Sequence, residues 1–158
     1  MENGDRYEGE FKNNCIEGQG IKYYINGDKY EGGWKNGDKN GWGKILWNSG
    51  NSYEGDWVVG IREGKGIFIW KDGDKYEGEF KNGYREGKGI YYYSNGNIYD
   101  GNWVKGIEEG IGTFTWKNGD KYEGEWKNDL RNGKGKIIWI NGNSYEGDWV
   151  DGKKEGKG

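Results

Sequence analysis

The sequence predicts an all-β protein, an elongated, twisted antiparallel meander of tandem β-hairpins with open ends. Three observations carry that prediction. Seven tyrosines recur at a constant spacing of 23: Tyr7, Tyr30, Tyr53, Tyr76, Tyr99, Tyr122 and Tyr145. Each is followed two residues later by glycine and two further on by a large aromatic: Phe11, Trp34, Trp57, Phe80, Trp103, Trp126 or Trp149. Between these segments stand Asn-Gly and Asp-Gly pairs, which mark tight turns. A fixed period of this length denotes an array of one small unit, so function belongs to the unit and its stacking.

The elements follow in order within a unit. Tyr76-Glu77-Gly78-Glu79-Phe80 alternates ring or glycine with acid, the period-two pattern of a strand with one packed and one wet face. Lys81-Asn82-Gly83-Tyr84-Arg85-Glu86-Gly87 is rich in turn formers. A second strand is expected near Lys88–Tyr93, and Ser94-Asn95-Gly96-Asn97 returns the chain to Tyr99. Equivalent returns are Asn26-Gly27, Asp72-Gly73, Asn118-Gly119 and Asn141-Gly142, with Ser49-Gly50 as a weaker copy; both residues of such pairs tolerate positive φ. About 13 strands at ~4.8 Å spacing give a sheet roughly 60 Å long, which twist should curl into a trough. Residues 1–158 are expected to form one array, with units starting at 7, 30, 53, 76, 99, 122 and 145 and the last incomplete.

Parity assigns the faces. Tyr76, Gly78, Phe80, Gly89, Tyr91 and Tyr93 share one side; Glu77, Glu79, Ile90 and Tyr92 share the other. Glycine beside a ring removes a side chain, so the neighbouring ring can lie over the backbone. Gly60, Gly83 and Gly106 are replaced by Asn14 and Asp129 in two other units, as a positive-φ position allows. From the second unit onward a 46-residue superperiod is superimposed: Lys29, Lys75 and Lys121 precede alternate tyrosines, while Ser52, Ile98 and Ser144 precede the rest.

Composition narrows the function classes. Only 31% of the chain is hydrophobic, but 17% is aromatic, with 10 Trp, 13 Tyr, 34 Gly and no Pro. Such low apolar content with 32% charge suits disorder; the dense rings oppose it, because each buries a large area. A thin layer of rings is expected in place of a compact core. The net charge of -3 and the absence of a Lys/Arg cluster argue against nucleic acid and weaken attraction to anionic lipid. The single cysteine, Cys15, excludes an internal disulfide and favours a reducing compartment. No stretch is apolar enough to span a bilayer as a helix, and Met1–Asp5 lacks the parts of a signal peptide. An intracellular, cytoplasmic location is therefore expected. With no histidine there can be no His-based triad or His metal site. Lys71–Glu77 lacks calcium-loop spacing. No catalytic residue, metal or cofactor is expected.

Tyr122-Glu123-Gly124-Glu125-Trp126 and Tyr53-Glu54-Gly55-Asp56-Trp57, each with its Gly-x-Gly downstream, resemble the MORN repeat (membrane occupation and recognition nexus). The resemblance runs through the chain in seven copies. Departures are small: Asp100 stands for the first acid, and Gly33 and Asn102 for the second. The resemblance implies a curled hairpin sheet without catalytic activity, a scaffold that takes a helical or extended partner segment in its groove. It also implies homo-oligomers and a setting in cytoskeletal, ciliary or membrane-junction assemblies; separately, an open strand edge without Pro is expected to pair with another copy. A phospholipid-binding adaptor is the alternative, and a carbohydrate-binding module a third reading.

Two sets of residues are candidate site residues. Tyr30, Trp34, Tyr53, Trp57, Tyr76, Phe80, Tyr99, Trp103, Tyr122 and Trp126 are expected to pack as the core of the repeats. Ile45, Trp47, Phe68, Trp70, Tyr91, Tyr93, Phe114, Trp116, Ile137 and Trp139 are expected to be more open and to line a partner groove. Trp42 joins them as an irregular anchor, or else folds over its neighbours. The acids from Glu8 through Glu146 read as a solvated face, and basic residues of a partner would meet acids at the rim.

Overall fold

The computed structural model describes residues 4–156. These form 14 strands and no helix. In chain order they are β1 (Arg6–Lys12), β2 (Cys15–Tyr23), β3 (Lys29–Lys35), β4 (Asp38–Leu46), β5 (Ser52–Val58), β6 (Ile61–Ile69) and β7 (Lys75–Lys81). The second half comprises β8 (Tyr84–Tyr92), β9 (Ile98–Val104), β10 (Ile107–Thr115), β11 (Lys121–Lys127), β12 (Leu130–Ile138), β13 (Ser144–Val150) and β14 (Lys153–Glu155). Strand order in the sheet follows chain order, so the meander is as expected, with one strand more than the sequence suggests. The chain divides into two compact units, one running to Gly73 and including Glu79–Gly83, the other comprising Asp74–Gly78 and the chain from Tyr84 onward.

In the first unit each repeat is a seven-residue strand, a two-residue turn and a nine-residue strand. At Asn36-Gly37 both turn residues have positive φ (50° and 87°), which matches a type I′ turn to the strand twist. The turn expected over a whole segment such as Lys81–Gly87 is therefore only two residues long, because the second strand begins directly after it. The return loops differ. Gly50 N–H donates to Trp47 O at 2.9 Å, and Trp47 N–H to Asn51 O at 3.0 Å. Only Gly27, Gly50 and Gly73 take positive φ there; Asn26, Ser49 and Asp72 do not. These loops are type I turns closed by a left-handed glycine, not the two-residue mirror turns that Asn-Gly suggests.

A bulge that parity alone does not reveal sits in the second strands of this unit. Gly55 pairs with Gly66 and Trp57 with Arg62, so Asp56 alone opposes Glu63, Gly64 and Lys65. The extra residues are accommodated by Gly64 at φ 65°. The Asp56 carboxylate accepts the Lys65 N–H at 3.0 Å, as Glu10 accepts that of Gln19 in the first repeat. The second acid of the motif thus holds the bulge as well as facing water.

The second unit repeats this plan. Tyr91 pairs with Tyr99 and Gly89 with Gly101, which keeps rings and glycines on one face. A Cβ added at Gly112 would overlap the Tyr99 ring, so the phenol lies on bare backbone as the sequence predicts. The turn position allowing Asn, Asp or Gly behaves likewise: Gly106 has φ 87° and Asp129 φ 63°. Neighbouring repeats are fastened at both ends. At the turn end Gly106 N–H donates to Arg85 O at 2.8 Å and Gly152 N–H to Arg131 O at 2.9 Å. At the loop end the Asp120 carboxylate accepts Ile140 N–H at 2.9 Å, and Asn97 Oδ1 accepts Lys117 N–H at 3.0 Å.

The core is the ring layer itself. Tyr30, Tyr53, Tyr76, Tyr99 and Tyr122 are fully buried, and Trp34, Trp57, Phe80, Trp103 and Trp126 are at most 7% exposed. The rings meet edge to face: Tyr30 and Trp57 at 5.5 Å in the first unit, Tyr99 and Trp126 at 5.1 Å in the second. This is the favoured geometry for ring quadrupoles.

Candidate functional site

The ring-bearing face offers the candidate surface, because the other face is charged strand exterior. Each indole is oriented by a bond to the preceding repeat: Trp57 Nε1–H donates to Gly43 O and Trp103 Nε1–H to Gly89 O, both at 3.0 Å. Above this layer the second strands contribute a further row. Ile45, Phe68, Tyr91 and Ile137 are buried, contrary to the openness expected of them, and Phe114 is half-buried. They are covered because the adjoining loop aromatics lean onto them. Phe68 lies 4.4 Å from Trp70, Tyr91 4.6 Å from Tyr93, and Phe114 4.8 Å from Trp116. That outer row, Trp47, Trp70, Tyr93, Trp116 and Trp139, stays half-open.

Trp42 does not belong to this surface. It pairs with Asp56 across β4 and β5, which puts it on the acidic face, where it is 56% exposed. Flanking glycines Gly41 and Gly43 hold ring-face parity, so the residue between them must point the other way. It borders a shallow depression of about 330 Å³ with Glu8, Gln19, Ile21 and Glu31. A comparable depression in the second unit is lined by Glu123, Lys134, Lys136, Glu146 and Asp148.

A row of cations on the ring face has no counterpart in the expectations above. Lys39, Arg62, Arg85, Arg131 and Lys154 recur at the repeat spacing, one residue into each second strand. Arg62 pairs with Trp57, a register that the bulge alone makes possible. In the first unit Lys39 Nζ sits 5.0 Å over Trp57, and Arg62 donates to Gly83 O at 2.8 Å. In the second unit the Arg85 guanidinium lies 4.3 Å over Trp103 and the Arg131 guanidinium 4.4 Å over Trp149. Burial lowers the pKa of Lys39, Arg62 and Arg131. The signal was available: five basic residues in step with seven tyrosines. Assigning Arg85 to a long turn hides it.

Glu108 occupies the same place in the fifth repeat. It is 4% exposed. Burial raises its carboxyl to about 7; the hydrogen bond from Tyr93 opposes the rise, Asp129 adds to it and Arg85 opposes it.

The acidic face is neutralised in two alternating ways. Lys29 and Lys75 pair with Glu31 and Glu77 on their own strands, both at 3.2 Å, and Lys121 pairs with Glu123. Where serine replaces that lysine, the acid is met across the strand: Lys44 with Glu54 at 3.2 Å and Lys136 with Glu146 at 3.5 Å. The 46-residue superperiod therefore has a local electrostatic basis. Acids on this face cannot meet a partner lying on the rings.

These features define a repeat class: β-hairpins with a ring core, stabilised by nearest-neighbour stacking. The chain belongs to the MORN repeat family, whose profile matches residues 7–29, 30–52, 53–75, 76–98, 99–121, 122–144 and 145–158. MORN repeats suggest protein or membrane interaction, and the family is not known as enzymatic. Among curated proteins none matches the chain. Two solved structures share limited likeness. The TCP domain of SAS-4 (dCPAP) from Drosophila melanogaster, solved with a proline-rich motif of Ana2 (dSTIL), is 12% identical over 90% of this chain and 88% of that one, with a TM-score of 0.39. Virginiamycin B lyase from Staphylococcus aureus is 16% identical over 94% of this chain and 47% of that one, with a TM-score of 0.21. Both scores are too low to support a functional parallel.

Proposed function

We propose that this chain is a non-catalytic docking array whose ring face receives a helical or extended segment of a partner protein. The observation that carries the reading is the half-open aromatic row, Trp47 and Trp70 in one unit and Tyr93, Trp116 and Trp139 in the other, bordered by stacked cations. Apolar side chains of the partner seat on the rings, and its carboxylates meet Lys39, Arg62, Arg131 and Lys154. The charge preference is thus opposite to one based on rim acids. A setting in a cytoskeletal or ciliary assembly belongs to the same proposal and rests on the family resemblance. So does self-association through open strand edges.

Pull-down from native extract with the immobilised chain tests this. The expected outcome is a stoichiometric protein whose capture is lost with Trp116→Ser/Trp139→Ser and kept with Glu123→Gln/Glu146→Gln. No such protein, together with salt-resistant flotation on anionic liposomes, would favour the lipid reading.

A further inference from the structure

The second unit supplies its own internal comparison. Each second strand places one residue over the aromatic of the following repeat. Arg85 does so over Trp103 and also donates to Gly106 O at 2.6 Å. Arg131 does so over Trp149 and donates to Gly152 O at 2.8 Å. Between them the fifth repeat has Glu108, and the turn glycine that receives the arginine elsewhere is Asp129. A carboxylate thus stands where the neighbouring repeats carry a guanidinium, and a second carboxylate is added at the turn residue whose backbone carbonyl accepts that guanidinium elsewhere.

The ring platform that the arginines use is still there. Trp126 packs edge-on against Tyr99 at 5.1 Å and lies 6.0 Å from Phe114. Ring faces carry negative charge density, which attracts a cation and repels a carboxylate. Glu108 accordingly turns to Tyr93, whose hydroxyl donates to Oε1 at 3.0 Å, and its N–H donates to Asp129 Oδ1 at 2.7 Å. Neither carboxylate forms an ion pair among the described residues, and Asp129 is exposed. The groups facing Glu108 are Tyr93, Asp129, Arg85 and Tyr99.

We infer that Glu108, Asp129 and the Trp126 platform form a receptor for one basic side chain, an arginine or lysine of the docked partner, in the place that Arg85 and Arg131 fill from within the chain. The inference rests on ring-face docking and adds a register rule to it. A partner that offers carboxylates to Arg131 and Lys154 must offer a base at the fifth repeat. One reversed charge in an otherwise cationic row then fixes both position and direction, because a shifted or inverted partner sets acid against acid.

The test needs no identified partner. Side-chain carboxyl NMR of ¹³C-Glu-labelled protein, assigned with Glu108→Gln, is followed across the titration of Glu108, alone and with N-acetyl-arginine amide. N-acetyl-citrulline amide is the neutral control. The arginine probe is expected to lower the Glu108 midpoint by about one unit, a tenfold preference for the ionised form, and to shift the Trp126 indole signal. Citrulline is expected to do neither. Glu108→Arg/Asp129→Gly, which copies the adjacent repeats, should stay folded by circular dichroism and lose the Trp126 response. An unmoved midpoint, or equal responses to arginine and citrulline, would overturn the receptor. Docking on the rings stands or falls separately, on the pull-down: a probe response without any ring-face protein partner would sink that reading alone.

Discussion

The two faces of the sheet are made by the same strands but obey different rules. On the ring face, Tyr76 and Tyr99 are fully buried, and a Cβ at Gly89 or Gly112 would overlap one of those rings. On the acidic face Glu77 and Glu123 are half-exposed and bound only to a flexible lysine. Ring-face positions therefore tolerate few residue types. The acidic face tolerates exchange, and the chain shows it: the lysine partner moves from the same strand to the neighbouring one between successive repeats. Stability resides on the face where docking is proposed; the charged residues occupy the other.

The strongest way to break that comparison is Trp103→Ala. Losing a 2%-exposed indole that stacks under Arg85 and bonds Gly89 O should cost about 3–5 kcal/mol in denaturant unfolding. Close to it in size is a pH effect from Glu108, the one buried charged residue among the described residues. Glu108 is held at about 7 against an ordinary 4.5, so its protonated form suits the fold. That contribution is complete below the unfolded value and is lost as pH rises through about 7. Unfolding free energy should fall by roughly 3 kcal/mol between the two values, and Glu108→Gln should flatten the slope. A more delicate probe is Trp103→Phe, since the array already uses Phe80 at the same place. It should cost about 1 kcal/mol, the share of the lost Nε1 bond. Smallest is Glu77→Ala, expected within about 0.5 kcal/mol. Equal losses for Trp103→Ala and Glu77→Ala would contradict the division of faces.

Much of this was legible because the period and the alternation act at one level. A 23-residue repeat with Tyr-x-Gly-x-Trp fixes strand, face and the need for glycine beneath a ring, and the interchange of Gly106 with Asp129 marks a positive-φ site correctly. What was not legible depends on the bulge. Three residues, such as Glu63-Gly64-Lys65, stand against one, which keeps parity but shifts register, so Arg62 falls opposite Trp57 where an unbulged ladder would place Gly64. Reading the start of that strand as a long turn hides the cation row, and with it the meaning of Glu108. The return loops mislead for a different reason: Asn-Gly fits two turn families, and only the bond from Gly50 N–H to Trp47 O separates them. Trp42 misleads because its type is aromatic while its parity is acidic.

Docking along the rings is most directly tested by site-specific photocrosslinking. Benzoylphenylalanine would replace Trp116 on the ring face in one sample and Trp42 on the acidic face in another, each exposed to native extract and light. A discrete protein adduct from position 116 and none from position 42 is the result that ring-face docking predicts. An adduct from position 42 with none from 116 would contradict it.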